Sequence, residues 1–170
     1  IQMTIKEIRP TLMCSVPRFW EKVYAGVQEK IAETTGIKKT LMMDAIRVGR
    51  IHNIDYIRQG KTPPLMLHLK YKFYEKTIYS LLKKTIGIEN GNFFPTAGAA
   101  VPDEICEFVH SVGIDMLVGY GLTESTATVS CTSKTGYDIG SVGQVMPDVE
   151  VKIGEDNEIL LRGKTITKGY

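Results

Sequence analysis

The chain has 170 residues, 43% hydrophobic and 24% charged, an ordinary balance for a folded domain that excludes a disordered chain, a collagen-like repeat and a disulfide scaffold. Its net charge of +2 hides a division: residues 1–90 carry 16 Lys and Arg against 8 Asp and Glu, whereas residues 91–170 carry 5 against 11. A basic half and an acidic half are expected to meet different neighbours.

The basic half reads mainly as helices. Residues 11–16, Thr-Leu-Met-Cys-Ser-Val, form a short apolar run of the kind a buried strand needs. Pro17 then suits a first helical turn, where its missing N–H is not wanted. Phe19, Val23, Val27 and Ile31 recur every fourth residue and predict one apolar face, with Gly36 as the stop. A second helical stretch is expected over residues 38–58, ending near Gly60 and the loop Lys61-Thr62-Pro63-Pro64. A third covers residues 66–86 and ends at Gly87, with Leu69, Phe73, Ile78, Leu81 and Leu82 interleaved among lysines.

The acidic half has a different pattern. Asn92–Thr96 reads as a strand running into the small-residue turn Gly98-Ala99-Ala100, and Pro102, Asp103 and Glu104 mark a helix start. That helix stops at Gly113, and Asp115–Val118 follows as a buried strand. Strand, turn, helix and strand in this order predict a parallel α/β sheet. From about Gly136 the pattern shifts: Val149, Val151 and Ile153 alternate with charges, Glu155-Asp156-Asn157 makes a turn, and Ile159–Leu161 returns. This predicts a hairpin in an antiparallel unit. No internal repeat or low-complexity segment is visible.

Gly119-Tyr120-Gly121-Leu122-Thr123-Glu124-Ser125 is the most informative stretch. It follows a buried strand and so lies at a strand's carboxyl end, where open α/β sheets bind ligands. Its two glycines let backbone approach a flat or phosphorylated ligand. Tyr120 offers an aromatic face, Thr123 a hydroxyl, and Glu124 a hard oxygen ligand suited to Mg²⁺. From chemistry alone this is a nucleotide-site candidate, with a glycine-rich surface turn as the alternative. It is neither a dinucleotide fingerprint, since Glu124 stands where a third glycine belongs, nor a Walker loop, since no Gly-Lys-Ser/Thr follows. Gly98-Ala99-Ala100 is a second candidate for exposed backbone at a strand end, though alone it equally describes a tight packing turn.

These two stretches together resemble the adenylate-forming superfamily of acyl-CoA synthetases, luciferases and peptide-synthetase adenylation domains. Gly140-Ser141-Val142-Gly143-Gln144 with Pro147 is similar to that family's Gly-Ser-x-Gly-x-x-x-Pro segment. Glu158-Ile159-Leu160-Leu161-Arg162-Gly163, ending in Lys168-Gly169-Tyr170, is similar to its Arg-Gly…Gly-Tyr segment. Val16-Pro17-Arg18-Phe19-Trp20-Glu21-Lys22-Val23 resembles the long-chain fatty acyl-CoA synthetases in particular. The resemblance implies an α/β portion of an adenylation domain over residues 1–135 and the start of a β-rich subdomain over 136–170.

Its implied chemistry is a two-step activation of a fatty acid with ATP, Mg²⁺ and coenzyme A. By family pattern Thr123 binds phosphate, Glu124 holds the metal, and both act in catalysis. Tyr120 stacks on adenine, with Gly98, Ala99 and Ala100 on its other side and Gly119 and Gly121 beside it. Gly121 and Leu122 border the acyl group. The family's phosphate loop, its Thr-Gly-Asp segment and its C-terminal domain with the catalytic lysine have no counterpart here; Lys164 and Lys168 lie in the segment before the hinge. The chain is therefore expected to be an internal piece of the large domain, inactive alone and partnered by the rest of its own chain. An aryl-, short-chain- or amino-acid-activating relative, or a non-catalytic binding module, is the competing expectation.

The other residues suggest less. Cys14, Cys106 and Cys131 are widely spaced, without C-x-x-C, so neither zinc nor a disulfide framework is expected and a reduced cytoplasmic setting is. Cys106 reads as core and Cys131 as accessible. His52, His68 and His110 have no partner at ligand spacing and read as structural. No apolar run approaches the ~20 residues of a spanning helix, and no secretory signal precedes the first elements. The Lys-rich 70–84 stretch fits a solvated face, the phosphates of coenzyme A, or peripheral contact with acidic lipid. No nucleic-acid module accompanies the basic residues.

Overall fold

The computed structural model describes residues 2–126 and 128–170. A short helix α1 (Gln2–Ile8) precedes α2 (Pro17–Glu33) and α3 (Gly36–Arg50), which runs into a π-helical segment at Ile51–Ile57. Helix α4 (Leu65–Tyr74) continues through a π turn at Glu75–Tyr79 into α5 (Ser80–Ile86). The acidic half supplies β1 (Phe94–Thr96), α6 (Asp103–Ser111), β2 (Met116–Tyr120), β3 (Ser130–Cys131), β4 (Gln144–Val145), β5 (Val149–Ile153) and β6 (Ile159–Gly163). The two later helical stretches thus form as expected but are interrupted by wider turns, which apolar periodicity does not reveal. Gly87 ends α5 with φ +91°, the left-handed cap expected of it.

Strands β1 and β2 are parallel, with Phe94, Pro95 and Thr96 opposite Met116, Leu117 and Val118, and α6 makes the crossover that parallel pairing requires. Helix α6 buries Ile105, Cys106, Phe108 and Val109 against them. Pro95 is tolerated because of its side. Its carbonyl accepts from the Ser15 N–H at 2.8 Å, so its missing donor faces residues 11–16 rather than β2. Those residues lie parallel to β1 through Leu12–Phe93 and Ser15–Thr96 bridges, an irregular edge where a buried strand was expected. Beyond β2 the sheet turns antiparallel, with β3 on β2 and β4 on β3. The fold is α/β with a mixed sheet, parallel over β1 and β2. Strand β4 carries this sheet past the expected division at residue 135. The β5–β6 hairpin forms a separate antiparallel pair from Val149↔Gly163 to Ile153↔Ile159, turning through Asp156 and Asn157 at positive φ.

The main anchor of α2 is Trp20, which is fully buried. Its Nε1–H reaches Ser15 Oγ at 2.9 Å and Thr96 Oγ1 at 2.8 Å, and its ring meets the edges of Phe19 and Phe94. Of the predicted face, Ile31 is buried, whereas Phe19, Val23 and Val27 are half-buried and line a groove of about 690 Å³ between α2, α3 and α5. Helices α3 and α6 touch backbone to backbone at Gly49. A Cβ there would lie 1.9 Å from the Ser111 carbonyl oxygen and 2.7 Å from Tyr79 Oη. Gly49→Ala is therefore expected to cost about 1–3 kcal/mol or more, read as a lower urea midpoint with Trp20, the sole tryptophan, as fluorophore. An unchanged midpoint contradicts the contact.

Candidate functional site

Strand β2 ends at Tyr120, and the chain passes through Gly121 and Leu122 into a 3₁₀ turn at Thr123–Ser125. Ser125 is the buried lock of that turn: its Oγ accepts from the Leu122 N–H and donates to the Leu122 carbonyl, each at 2.9 Å. Sequence inspection had no reason to single it out. The locked turn stands beside the Gly98–Ala100 turn, because β1 and β2 are parallel neighbours and both end on the same side of the sheet.

Between the two turns lies a cleft of about 340 Å³. Gly98, Ala99 and Ala100 form one wall, and Gly119, Tyr120, Gly121 and Leu122 the facing one. Seven of the nine predicted site residues are thus brought together. Thr123 and Glu124 do not line the cleft; they are exposed on the turn that follows Leu122.

A third wall, Gly140–Val142, carried no site assignment in the sequence although its Gly-Ser-x-Gly spacing was visible. It is held in place by close approach. Gly143 has φ +82°, and a Cβ on it would come within 2.0 Å of the Cys131 carbonyl carbon. Ser130 Oγ donates to the Val142 carbonyl at 2.9 Å. The Cys106 side of α6 borders the same cleft, so this residue is core, as expected, and pocket lining as well. Nothing in a helical apolar pattern distinguishes those two roles. Burial, with Asp103 and Glu107 nearby, pushes the Cys106 thiol up to about 11. Burial raises the half-buried Cys131 thiol too.

The predicted metal ligand is engaged by the end of the chain. Glu124 Oε1 accepts from Tyr170 Oη at 3.2 Å, and its carbonyl accepts from the Thr167 N–H at 2.7 Å. Thr126 Oγ1 donates to the Thr165 carbonyl at 2.7 Å. Residues 165–170 are thereby tied across the turn. No group of three or more His, Cys, Asp or Glu capable of holding a metal occurs among the described residues. A single exposed carboxylate suits Mg²⁺, which keeps waters and takes its other ligands from substrate phosphates, better than an ion that needs a protein cage.

The histidines do have partners, which spacing alone did not show. His52 Nε2 lies 3.0 Å from His68 Nδ1, and the His52 ring stacks on Tyr71 at 3.9 Å. Burial lowers His52 and holds His110 down at about 4. These are neutral imidazoles packed in the helical layer, consistent with the structural role expected of them.

Residues 2–170 match the family described as AMP-binding enzyme. The long-chain-fatty-acid–CoA ligase ACSBG2 of Homo sapiens is 27% identical over 98% of this chain and 25% of its own length. The long-chain-fatty-acid–CoA ligase FadD15 of Mycobacterium bovis is 28% identical over 95% of this chain and 26% of its own. The chain thus spans about a quarter of the length of these relatives. The unliganded O-succinylbenzoate coenzyme A synthetase (MenE) of Bacillus subtilis superposes on 99% of this chain and 26% of its own with a TM-score of 0.51 at 14% identity, a likeness of fold. The cleft makes one chemical prediction of its own. At neutral pH iodoacetamide is expected to label exposed Cys14 first and Cys106 only after denaturation, as mapped by peptide mass spectrometry. Labelling of Cys106 in step with Cys14 in the folded protein contradicts the arrangement.

Proposed function

The chain belongs to the AMP-binding enzyme family, and from that premise we propose that it forms the nucleotide- and acyl-binding portion of a fatty-acid–CoA ligase using ATP and Mg²⁺. One observation carries the reading: the turns after β1 and β2, far apart in sequence, form the two walls of a single cleft at the carboxyl ends of parallel strands. The names of the relatives matched along the whole chain support the fatty-acid substrate class.

The reaction has to join two anions. A carboxylate oxygen attacks the α-phosphorus of ATP, pyrophosphate leaves, and the acyl-adenylate is then attacked at its carbonyl carbon by the coenzyme A thiol, with loss of the thiol proton and departure of AMP. Bound Mg²⁺ supplies neutralisation of the phosphate charge, and Glu124 is the residue that holds it. Thr123 offers its hydroxyl to a phosphate oxygen. The Tyr120 ring lies against the adenine, and the Gly98–Ala100 backbone approaches its other side because no bulky side chain intervenes. Gly121 and Leu122 border the acyl carbonyl.

Calorimetry with a non-hydrolysable acyl-adenylate analogue tests this assignment. The analogue is expected to bind the chain with one-to-one stoichiometry, and Tyr120→Ala to weaken it about tenfold, the scale of one lost base–aromatic stack. In an enzyme of the relatives' length, Glu124→Ala is expected to lower kcat by about 10²–10³, roughly the loss of one electrostatic stabiliser. Equal binding by Tyr120→Ala, or an unchanged rate for Glu124→Ala at saturating Mg²⁺, overturns the corresponding role.

A further inference from the structure

Helix α4 is apolar on two faces, and the structure covers one of them. Tyr71 and Tyr74 are buried and Leu67 packs against the core. On the other side Leu65, Met66, Leu69 and Phe73 are exposed to 71%, 77%, 54% and 60%. At about 100° per residue these four fall within one arc of roughly 100°. A helix apolar all round is normally buried all round, in protein or in lipid.

Charge decides between those surroundings. Between Lys61 and Lys84 the chain carries six lysines and a single acid, Glu75. Lys72 and Lys70 lie just beyond the two edges of the arc on the same helical wheel, each in an exposed ion pair, Lys70 with Asp44 at 2.8 Å and Lys72 with Glu75 at 2.7 Å. Such exposed pairs are weak and separate at little cost. Lys76 follows on the same stretch, exposed and without an ion pair among the described residues. A protein segment laid on the stripe would have to desolvate or pair these ammonium groups. A bilayer surface lets the apolar side chains enter the acyl boundary while the lysine stems snorkel and their heads stay among lipid phosphates. None of the described helices is long and apolar enough to cross a membrane, so the geometry is that of a helix lying on the surface.

We infer that Leu65, Met66, Leu69 and Phe73, bordered by Lys70, Lys72 and Lys76, form a docking face for an anionic lipid bilayer. The inference does not rest on the reading of the cleft, with which this face shares no residue. Co-sedimentation of the chain with vesicles tests it, comparing phosphatidylcholine alone with phosphatidylcholine containing phosphatidylglycerol. The chain is expected to sediment with the anionic vesicles and weakly with the neutral ones. Leu69→Ser/Phe73→Ser is expected to lower the partition coefficient about tenfold or more with an unchanged thermal midpoint, since both side chains are exposed. Lys72→Glu/Lys76→Glu is expected to lower it by about fivefold or more per lysine and to abolish the preference for anionic lipid. Absence of sedimentation with either vesicle overturns the proposal, as does undiminished binding by the Leu69/Phe73 variant. So does light scattering that shows the parent chain self-associating through this stripe in place of binding vesicles.

Discussion

The Trp20 indole N–H is buried and shared between two hydroxyls, Ser15 Oγ and Thr96 Oγ1, which themselves lie 2.9 Å apart. A buried donor left unpaired costs about 1–3 kcal/mol, so the three side chains are held to one another as a set. They come from three places in the chain: the edge segment before α2, the first turn of α2 and the last residue of β1. Their contact therefore sets helix α2 against the sheet and fixes where β1 ends. The Gly98–Ala100 wall of the cleft begins two residues later, so its position follows from an interaction that touches no ligand.

The second requirement is close backbone approach. The sheet is parallel at β1 and β2, which puts two strand ends side by side, and antiparallel from β2 to β4, which brings residues 140–142 back to the same edge. That return works because Gly143 has no side chain to strike the Cys131 carbonyl. In the helical layer Gly49 plays the same part, letting α3 lie on the end of α6. Both glycines stand where a Cβ would meet backbone, which cannot move aside as a flexible side chain can.

Much of this was legible in the sequence, for definite reasons. Helices of ten residues or more carry periodicity and stop signals, so α2, α3 and α6 were read near their bounds, as was the β5–β6 hairpin with its Glu155–Asn157 turn. The two cleft turns were recognisable because small residues directly follow strand-like runs. What escaped was short or non-local. Strands β3 and β4 have two residues each, too few to show alternation. The Trp20 cluster, the His52–His68 pair and the Ser125 lock depend on partners or backbone turns that spacing cannot supply. The stripe on α4 was hidden because Leu67, Tyr71 and Tyr74 are apolar too, so the helix shows no polar side from which an outward face can be read.

The acidic half holds the cleft, although the proposed ligand is a polyanion, and the lining explains how the two coexist. Among the described residues the cleft is lined by glycine, alanine, valine, leucine, cysteine, serine and tyrosine, with no Lys, Arg, Asp or Glu. Such a wall neither attracts nor repels phosphate strongly. The flat face of a base gains from Tyr120 and the bare backbone opposite, while the phosphate charge must be met at the margin. There the chain offers the Thr123 hydroxyl and the Glu124 carboxylate, and a carboxylate beside phosphate is favourable only when a cation lies between them. The metal is thus required by the charge of the residues themselves: without it Glu124 would repel the nucleotide, and with it the same side chain becomes the point that locates the phosphates.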